Sequence, residues 1–270
     1  MADGVIAWSP DGTGNWQAGC VEARYPDGRM REECRNCWAR GMSARLREMG
    51  HARYQDATTG NGSTARWTGR LAWDREAMRT AFSRLGPNKR RFLGSMTDLW
   101  HDDCDPKMHT YLAVEVGRMR GVGMFLTKRP WNLLRWQRRY FLGGLPRRMW
   151  VGVSAGSQAA WDEMRADFWR VLLDLNGVAF VSVEPMTGPV HLGNVPAWVI
   201  VGCESRTGKP GAPMDLDWVR ALRDETKDAG ASFFYKQGVV GGRIVETPEL
   251  DGRRWTEVPG ERRAVVSDVR

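Results

Sequence analysis

Short, continuous apolar runs rich in β-branched and aromatic residues recur along this chain, and segments with helical periodicity separate most of them. A strand buried on both faces needs such a run, because neither set of its alternating side chains meets water. The sequence places these strands at Val5-Ile6-Ala7-Trp8, Trp67 to Trp73, Arg91 to Met96, Gly123 to Lys128, Trp150 to Ser154, Ala179 to Glu184, Trp198 to Gly202 and Ser232 to Lys236. Between them, Asp105-Pro106 offers an N-cap and a proline at the first helical position, with Gly121 as the stop. Pro130 opens a second helix. Trp161, Met164, Phe168, Val171, Leu172 and Leu175 fall on one stripe of a third. Asp215 or Asp217 caps the last helix and Gly230 ends it. The alternation predicts an α/β fold: a parallel (β/α) barrel of TIM type, complete or partial, over residues 1–238. No helix fits between Glu184 and Trp198, so the repeat is imperfect there. Residues 239–270 are rich in Gly, Arg and Glu and read as an irregular C-terminal extension.

Polar residues follow the apolar runs. Ser95 and Asp98 follow the third, Lys128 and Arg129 the fourth, and Ser154, Glu184 and Glu204 end the next three, with Lys236-Gln237 after the last. In a parallel barrel these ends open onto one face, where active sites lie. Ser95, Asp98, Lys128, Ser154 and Glu184 are therefore expected to ring a cofactor, with Lys128 and Glu184 as candidate catalytic groups. Lys128 can pair with a carboxylate, and Glu184 or Asp98 can accept ribose hydroxyls. Glu204 and Lys236 are further candidates of the same kind. The competing reading for each is an internal salt bridge or a cap, and Asp98 can equally cap a short turn.

Three of the five cysteines are grouped as Cys20, Cys34 and Cys37, the last two as a CxxC pair, in a loop region spanning residues 9–38. The chain begins with no basic-then-apolar leader, and no run of eighteen apolar residues occurs. A soluble, cytoplasmic protein with no membrane partner is expected, and there thiols serve as metal ligands or core residues more often than as disulfides. Three thiolates can hold three irons of a four-iron cluster and leave the fourth open to S-adenosylmethionine. A zinc site is the alternative, with Cys104 or His101 as a fourth ligand. Three plain buried cysteines are the other. Cys203 lies in an apolar run and reads as core. The four histidines (His51, His101, His109, His191) form no metal pattern, which disfavours a barrel hydrolase.

The formal charge is +8, most of the positive charge coming from arginine, and the chain carries 14 tryptophans. This balance suits a polyanion such as DNA, although it also serves solubility. The densest basic and aromatic run is Arg135-Trp136-Gln137-Arg138-Arg139-Tyr140, with Arg147-Arg148. It can grip phosphates and stack a flipped base, or it can be one solvated helix face with its tryptophan turned inward.

Several stretches together carry a family resemblance: Trp8 to Cys20, Cys34-Arg35-Asn36-Cys37-Trp38-Ala39, Ser95 to His101, Leu126-Thr127-Lys128-Arg129-Pro130, Trp150 to Ser154, Ser182 to Val190, Trp198 to Ser205, Pro213-Met214-Asp215 and Phe233 to Gln237. On these the chain resembles the phage-associated three-cysteine family of radical-SAM-like barrels. Its C-x13-C-x2-C spacing departs from the CxxxCxxC commonest in radical-SAM proteins, and the added length falls in the polar loop Val21 to Glu33. The resemblance implies a [4Fe-4S] cluster on Cys20, Cys34 and Cys37, S-adenosyl-L-methionine as cofactor, and an electron donor such as flavodoxin or ferredoxin. It further implies kinship with thymidine hypermodification. There a radical isomerase moves the link of an amino-acid-modified thymidine (glycinyl-thymidine) from nitrogen to the α-carbon, on DNA or a modified nucleotide. A radical SAM methylase, a base-repair lyase and a zinc-stabilised DNA-binding barrel without catalysis are the alternatives.

Overall fold

The structure, a computed structural model, describes residues 6–206 and 209–260. Its centre is one eight-stranded sheet in a mixed α/β arrangement. The strands are β1 (Thr13–Gly14), β2 (Arg90–Leu93), β3 (Val122–Thr127), β4 (Met149–Ser154), β5 (Ala179–Val183), β6 (Trp198–Gly202), β7 (Ser232–Val240) and β8 (Arg243–Glu246). Neighbours in the sheet follow chain order, and every pair is parallel except β7 with β8. The helices are α1 (Glu32–Arg35), α2 (Trp38–Glu48), α3 (Arg75–Ser83), α4 (Pro106–Gly117), α5 (Pro130–Tyr140), α6 (Gln158–Leu172) and α7 (Leu216–Asp228). Asp105 and Asp215 cap α4 and α7 as expected, and no helix joins β5 to β6. Among the described residues no helix is long and apolar enough to cross a membrane.

Two expected strands are corrected. The first strand is Thr13–Gly14, not the Val5–Trp8 run: Val5 lies outside the described residues, and Ile6 bridges Ser9 in a tight reversal. The Trp67–Trp73 run is split between two small antiparallel pairs, Arg66–Trp67 with Thr58–Thr59 and Ala72–Trp73 with Gln17–Ala18, outside the main sheet. The apolar residues of both runs are there to pack, not to ladder.

The alternation of side chains sorts the sheet into two faces. Leu93, Phe125, Val151, Val181, Val199 and Phe233 join Met108, Leu133, Trp161, Phe168 and Leu222 of the helices in the larger core. The opposite parity, Phe92, Met124, Trp150, Phe180, Trp198, Ile200 and Phe234, forms a smaller core with Trp8. The Trp8 indole lies 4.9 Å from the Phe92 ring on β2 and 6.0 Å from Trp198 on β6. Those strands are four apart in the sheet and would stand about 19 Å apart if it were flat. One indole can touch both only because the sheet curls around it. Trp8 therefore plugs the N-terminal end of a curled, half-barrel sheet, and Trp8→Ala is expected to cost about 3–5 kcal/mol in denaturant unfolding. A loss below about 1 kcal/mol would show that the plug does not hold the curl.

β7 runs on through the position where the sequence divides barrel from extension. The following segment packs back onto it: the Tyr235 N–H donates to Trp255 O at 2.7 Å, Thr256 bridges Phe234, and Leu250 is buried in the core.

Candidate functional site

The inner row of side chains changes character toward the C-terminal ends of the strands. Above the aromatic plug come Ser154 and Ser182, and above those Lys128, Glu184 and Lys236. The parity that makes the lower positions apolar places these polar groups inside the curl. They open on a cavity of about 1170 Å³, also lined by Cys20, Cys34 and Cys37. That volume exceeds the range of about 300–1,000 Å³ usual for small-molecule sites.

The cysteines arrive on a loop fixed from below. Gly19 has φ +93°, and a Cβ there would meet Arg70 O at 2.1 Å, so only glycine sets Cys20 in place. Arg129 holds the next turn: its guanidinium donates to Val21 O at 3.2 Å, to Asp98 at 3.1 Å and to Asp102 at 3.3 Å. Arg31, fully buried, pairs with Glu163 at 2.8 Å and donates to Lys128 O at 3.2 Å. Cys34 then sits in α1, and Cys37 is the N-cap residue of α2. The Ala23 N–H donates to Cys34 Sγ at 3.3 Å.

Burial, and then Asp98, push the Cys20 thiol up to about 12, with Arg129 opposing and Cys37 and Cys34 adding to the rise. Burial also raises Cys34, against the pull of Lys128. The three sulfurs are thus near enough to sense one another's charge. Without a cation Cys20 and Cys34 are neutral thiols at pH 7, and a metal would bind with release of their protons. Among the described residues no group of three His, Cys, Asp or Glu side chains is placed to hold a metal ion as it stands. Of the expected fourth zinc ligands, Cys104 is packed in the core, with its sulfur against the Gln17 side chain, and His101 Nδ1 accepts the Asp103 N–H. Cys203 is buried as expected, but it lies just beyond β6 and also lines the cavity.

Lys128 has no hydrogen-bond or ion-pair partner for its ammonium among the described residues. Burial alone would lower its pKa, but Cys34, Glu33, Cys37 and Asp98 hold it above the ordinary lysine value. Glu184 Oε2 accepts from Ser182 and from Lys236, each at 3.1 Å, while its Oε1 is buried without a partner. Glu33 repeats the pattern: Oε1 accepts the Gly156 N–H at 2.7 Å, and Oε2 is buried and unpartnered. A Cβ at Gly156 would meet Pro185 O at 2.4 Å, so this close approach requires glycine.

Other expected ring members are engaged by the protein. Asp98 lines the cavity and also takes the competing role expected of it, an internal salt bridge and turn cap that makes it a brace. Its Oδ1 accepts from Thr127 Oγ1 at 2.7 Å and Trp100 N at 3.1 Å, and its Oδ2 from Lys128 N at 3.0 Å and Arg129 at 3.1 Å. Ser95 Oγ exchanges hydrogen bonds with the Asn15 amide at 3.0 and 3.2 Å. Glu204 accepts from the Asn36 amide and from Ala212 N. Ser154 is buried at the end of β4 and lines the cavity. In the basic run on α5, Trp136 is buried with its indole N–H on His109 O at 3.1 Å, so it is not available to stack on a base. Arg135, Arg138 and Arg139 form a solvated helix face there.

The sequence reading placed Arg129 at a strand end on this face without giving it a role, and passed over Asn15, Glu33 and Arg31 as parts of the site. Glu33 had a local signal, since it immediately precedes Cys34. Residues 5–259 match the model of a family described as a protein of unknown function, DUF5131. No curated protein and no solved structure matches the chain.

Proposed function

We propose that this chain, which belongs to the DUF5131 family, is a radical S-adenosylmethionine enzyme on a partial TIM-type barrel. Its reaction is isomerisation of an amino-acid-modified thymidine in DNA, from a nitrogen-linked to an α-carbon-linked side chain. One observation carries the reading: three thiols line the same cavity as an unpartnered ammonium, Lys128, and an unpartnered carboxylate oxygen, Glu184 Oε1.

Cys20, Cys34 and Cys37, all on this cavity, are the donor set that would hold a [4Fe-4S] cluster with one iron left open. Such a cluster, when bound with S-adenosylmethionine, would supply radical chemistry able to take hydrogen from an unreactive C–H bond, with an electron from a donor such as flavodoxin or ferredoxin. The chain's own residues bind, orient and exclude. The Lys128 ammonium would hold a carboxylate, and the cofactor and the amino-acid group of the substrate each carry one. Glu184, held by Lys236 and Ser182, offers Oε1 to a hydroxyl or an ammonium group. The aromatic plug around Trp8 closes the floor to water, which a reactive radical requires.

Anaerobic reconstitution with iron and sulfide tests the reading. It should give a brown protein with about four irons per chain. A colourless protein that retains zinc in preference to iron would contradict it. Mass analysis of the nucleoside product then separates isomerisation, which leaves mass unchanged, from methylation or lyase chemistry. Lys128→Met should keep the colour and lower 5′-deoxyadenosine yield roughly tenfold or more at limiting cofactor, the loss of one charged hydrogen bond. An unchanged yield would remove Lys128 from the site.

A further inference from the structure

The cavity has one wall unlike the rest. Trp38, Met42 and Met49 are 55 %, 37 % and 63 % exposed, and all three line the cavity. With Arg45 they stand at positions i, i+4, i+7 and i+11, one face along α2 and its C-cap. That face is about 16 Å long. Large apolar groups left in water on the lip of a cavity mark a contact surface. Every charged residue that α2, α3 and the segments just after them give to the cavity is an arginine: Arg45, Arg53 and Arg84. No described residue pairs with Arg45, and Arg53 Nε is buried without a partner although its terminal nitrogen donates to Asn15 O.

We infer that this wall is a docking surface for a single-stranded stretch of nucleic acid, which leads a base past Trp38 into the cavity. The inference rests on the function proposed above only for what happens to the base once inside. Arginine forks match phosphate oxygens, and an exposed indole beside flexible methionines offers a face to any base. At about 3.4 Å per nucleotide the wall spans roughly five stacked nucleotides, more than a free nucleotide can occupy. The surface differs from the basic run on α5, whose tryptophan is buried.

The test is fluorescence anisotropy of a labelled single-stranded oligothymidylate of about twelve nucleotides, titrated with the reconstituted protein at several salt concentrations. Wild type should bind it at least tenfold more tightly (roughly) than thymidine monophosphate competes. Trp38→Ala should weaken binding roughly 5- to 100-fold, the effect of losing one stacked base. Arg45→Gln should reduce the slope of log affinity against log salt by about 0.7. Arg138→Gln on α5 should change neither. Circular dichroism of each variant confirms that it is folded. The proposal is overturned if wild type shows no salt-dependent binding, if Trp38→Ala and Arg45→Gln bind as wild type, or if Arg138→Gln alone weakens binding. Because binding is read apart from chemistry, wild type that forms 5′-deoxyadenosine yet ignores the oligonucleotide sinks only the docking surface. Wild type that binds the oligonucleotide but never cleaves the cofactor sinks only the radical function.

Discussion

Cys34→Ala is expected to abolish the brown colour of the reconstituted protein and its formation of 5′-deoxyadenosine together. Cys34 is the most enclosed of the three thiols, in α1 between the Ala23 N–H and the charge of Lys128. Its sulfur's one hydrogen bond among the described residues is from the Ala23 N–H, whose loss costs about 1–3 kcal/mol, so the fold should survive while metal is lost. Iron content should fall to background, and 5′-deoxyadenosine to below about 1 % of wild type, because the protein supplies only positioning to chemistry that belongs to its cofactor. Cys104→Ala is the matched control: Cys104 is equally buried, but its sulfur faces Gln17 in the core, and colour and activity should both remain. A Cys34→Ala protein that keeps its colour would transfer the ligand role elsewhere in the cavity, with Cys203 the first sulfur to examine.

Asp98→Ala is expected to cost as much stability as loss of the Trp8 plug, and it reaches the cysteine loop as well. Asp98 gathers donors from Trp100, Thr127, Lys128 and Arg129, and Arg129 in turn holds Val21 beside Cys20. Removing the carboxylate leaves the Arg129 charge buried, with only the exposed Asp102 beside it. Breaking such a pair from one side costs about 3–5 kcal/mol, which in a chain of this size lowers the melting temperature by about 10 °C. Burial would raise the Asp98 pKa, but Arg129, the Lys128 N–H and Thr127 hold it below the ordinary carboxylate value. The brace is therefore fully present at neutral pH and is lost as pH falls below the usual aspartate range. The same substitution frees the cysteine loop, so cluster loading should fall in protein that still folds at low temperature. A melting temperature within about 2 °C of wild type would show that the loop is held by other contacts.

The sequence announced the strands that are buried on both faces. Trp198–Gly202 and Trp150–Ser154 are unbroken apolar runs, and they form central strands of the sheet. It hid β1, because Thr13–Gly14 has no apolar run and becomes a strand only by pairing with Phe92 and Leu93. It overstated Val5 to Trp8, whose apolar content serves the plug. α2 was not anticipated, because its small and arginine-rich sequence carries little apolar signal and its exposed side faces the cavity. At the site, the cysteines, Lys128 and Glu184 were visible as residue types at strand ends and in a CxxC pair. For Asp98 the sequence left a ribose ligand and an internal salt bridge or cap both open, since its donors, as many as thirty-one positions away, converge on it only when folded. The sequence singled out Trp136 for stacking and not Trp38, whereas burial assigns Trp136 to the core and Trp38 to the cavity rim.

The measurement that bears most directly on the central claim is the yield of 5′-deoxyadenosine from anaerobically reconstituted protein given S-adenosylmethionine and a strong reductant. Wild type, loaded with iron and sulfide, is expected to form it in a time-dependent manner, and the Cys20→Ala, Cys34→Ala and Cys37→Ala proteins are expected to form none. A fully loaded, reduced wild type that leaves S-adenosylmethionine intact would contradict the account, whatever the three cysteines then prove to hold.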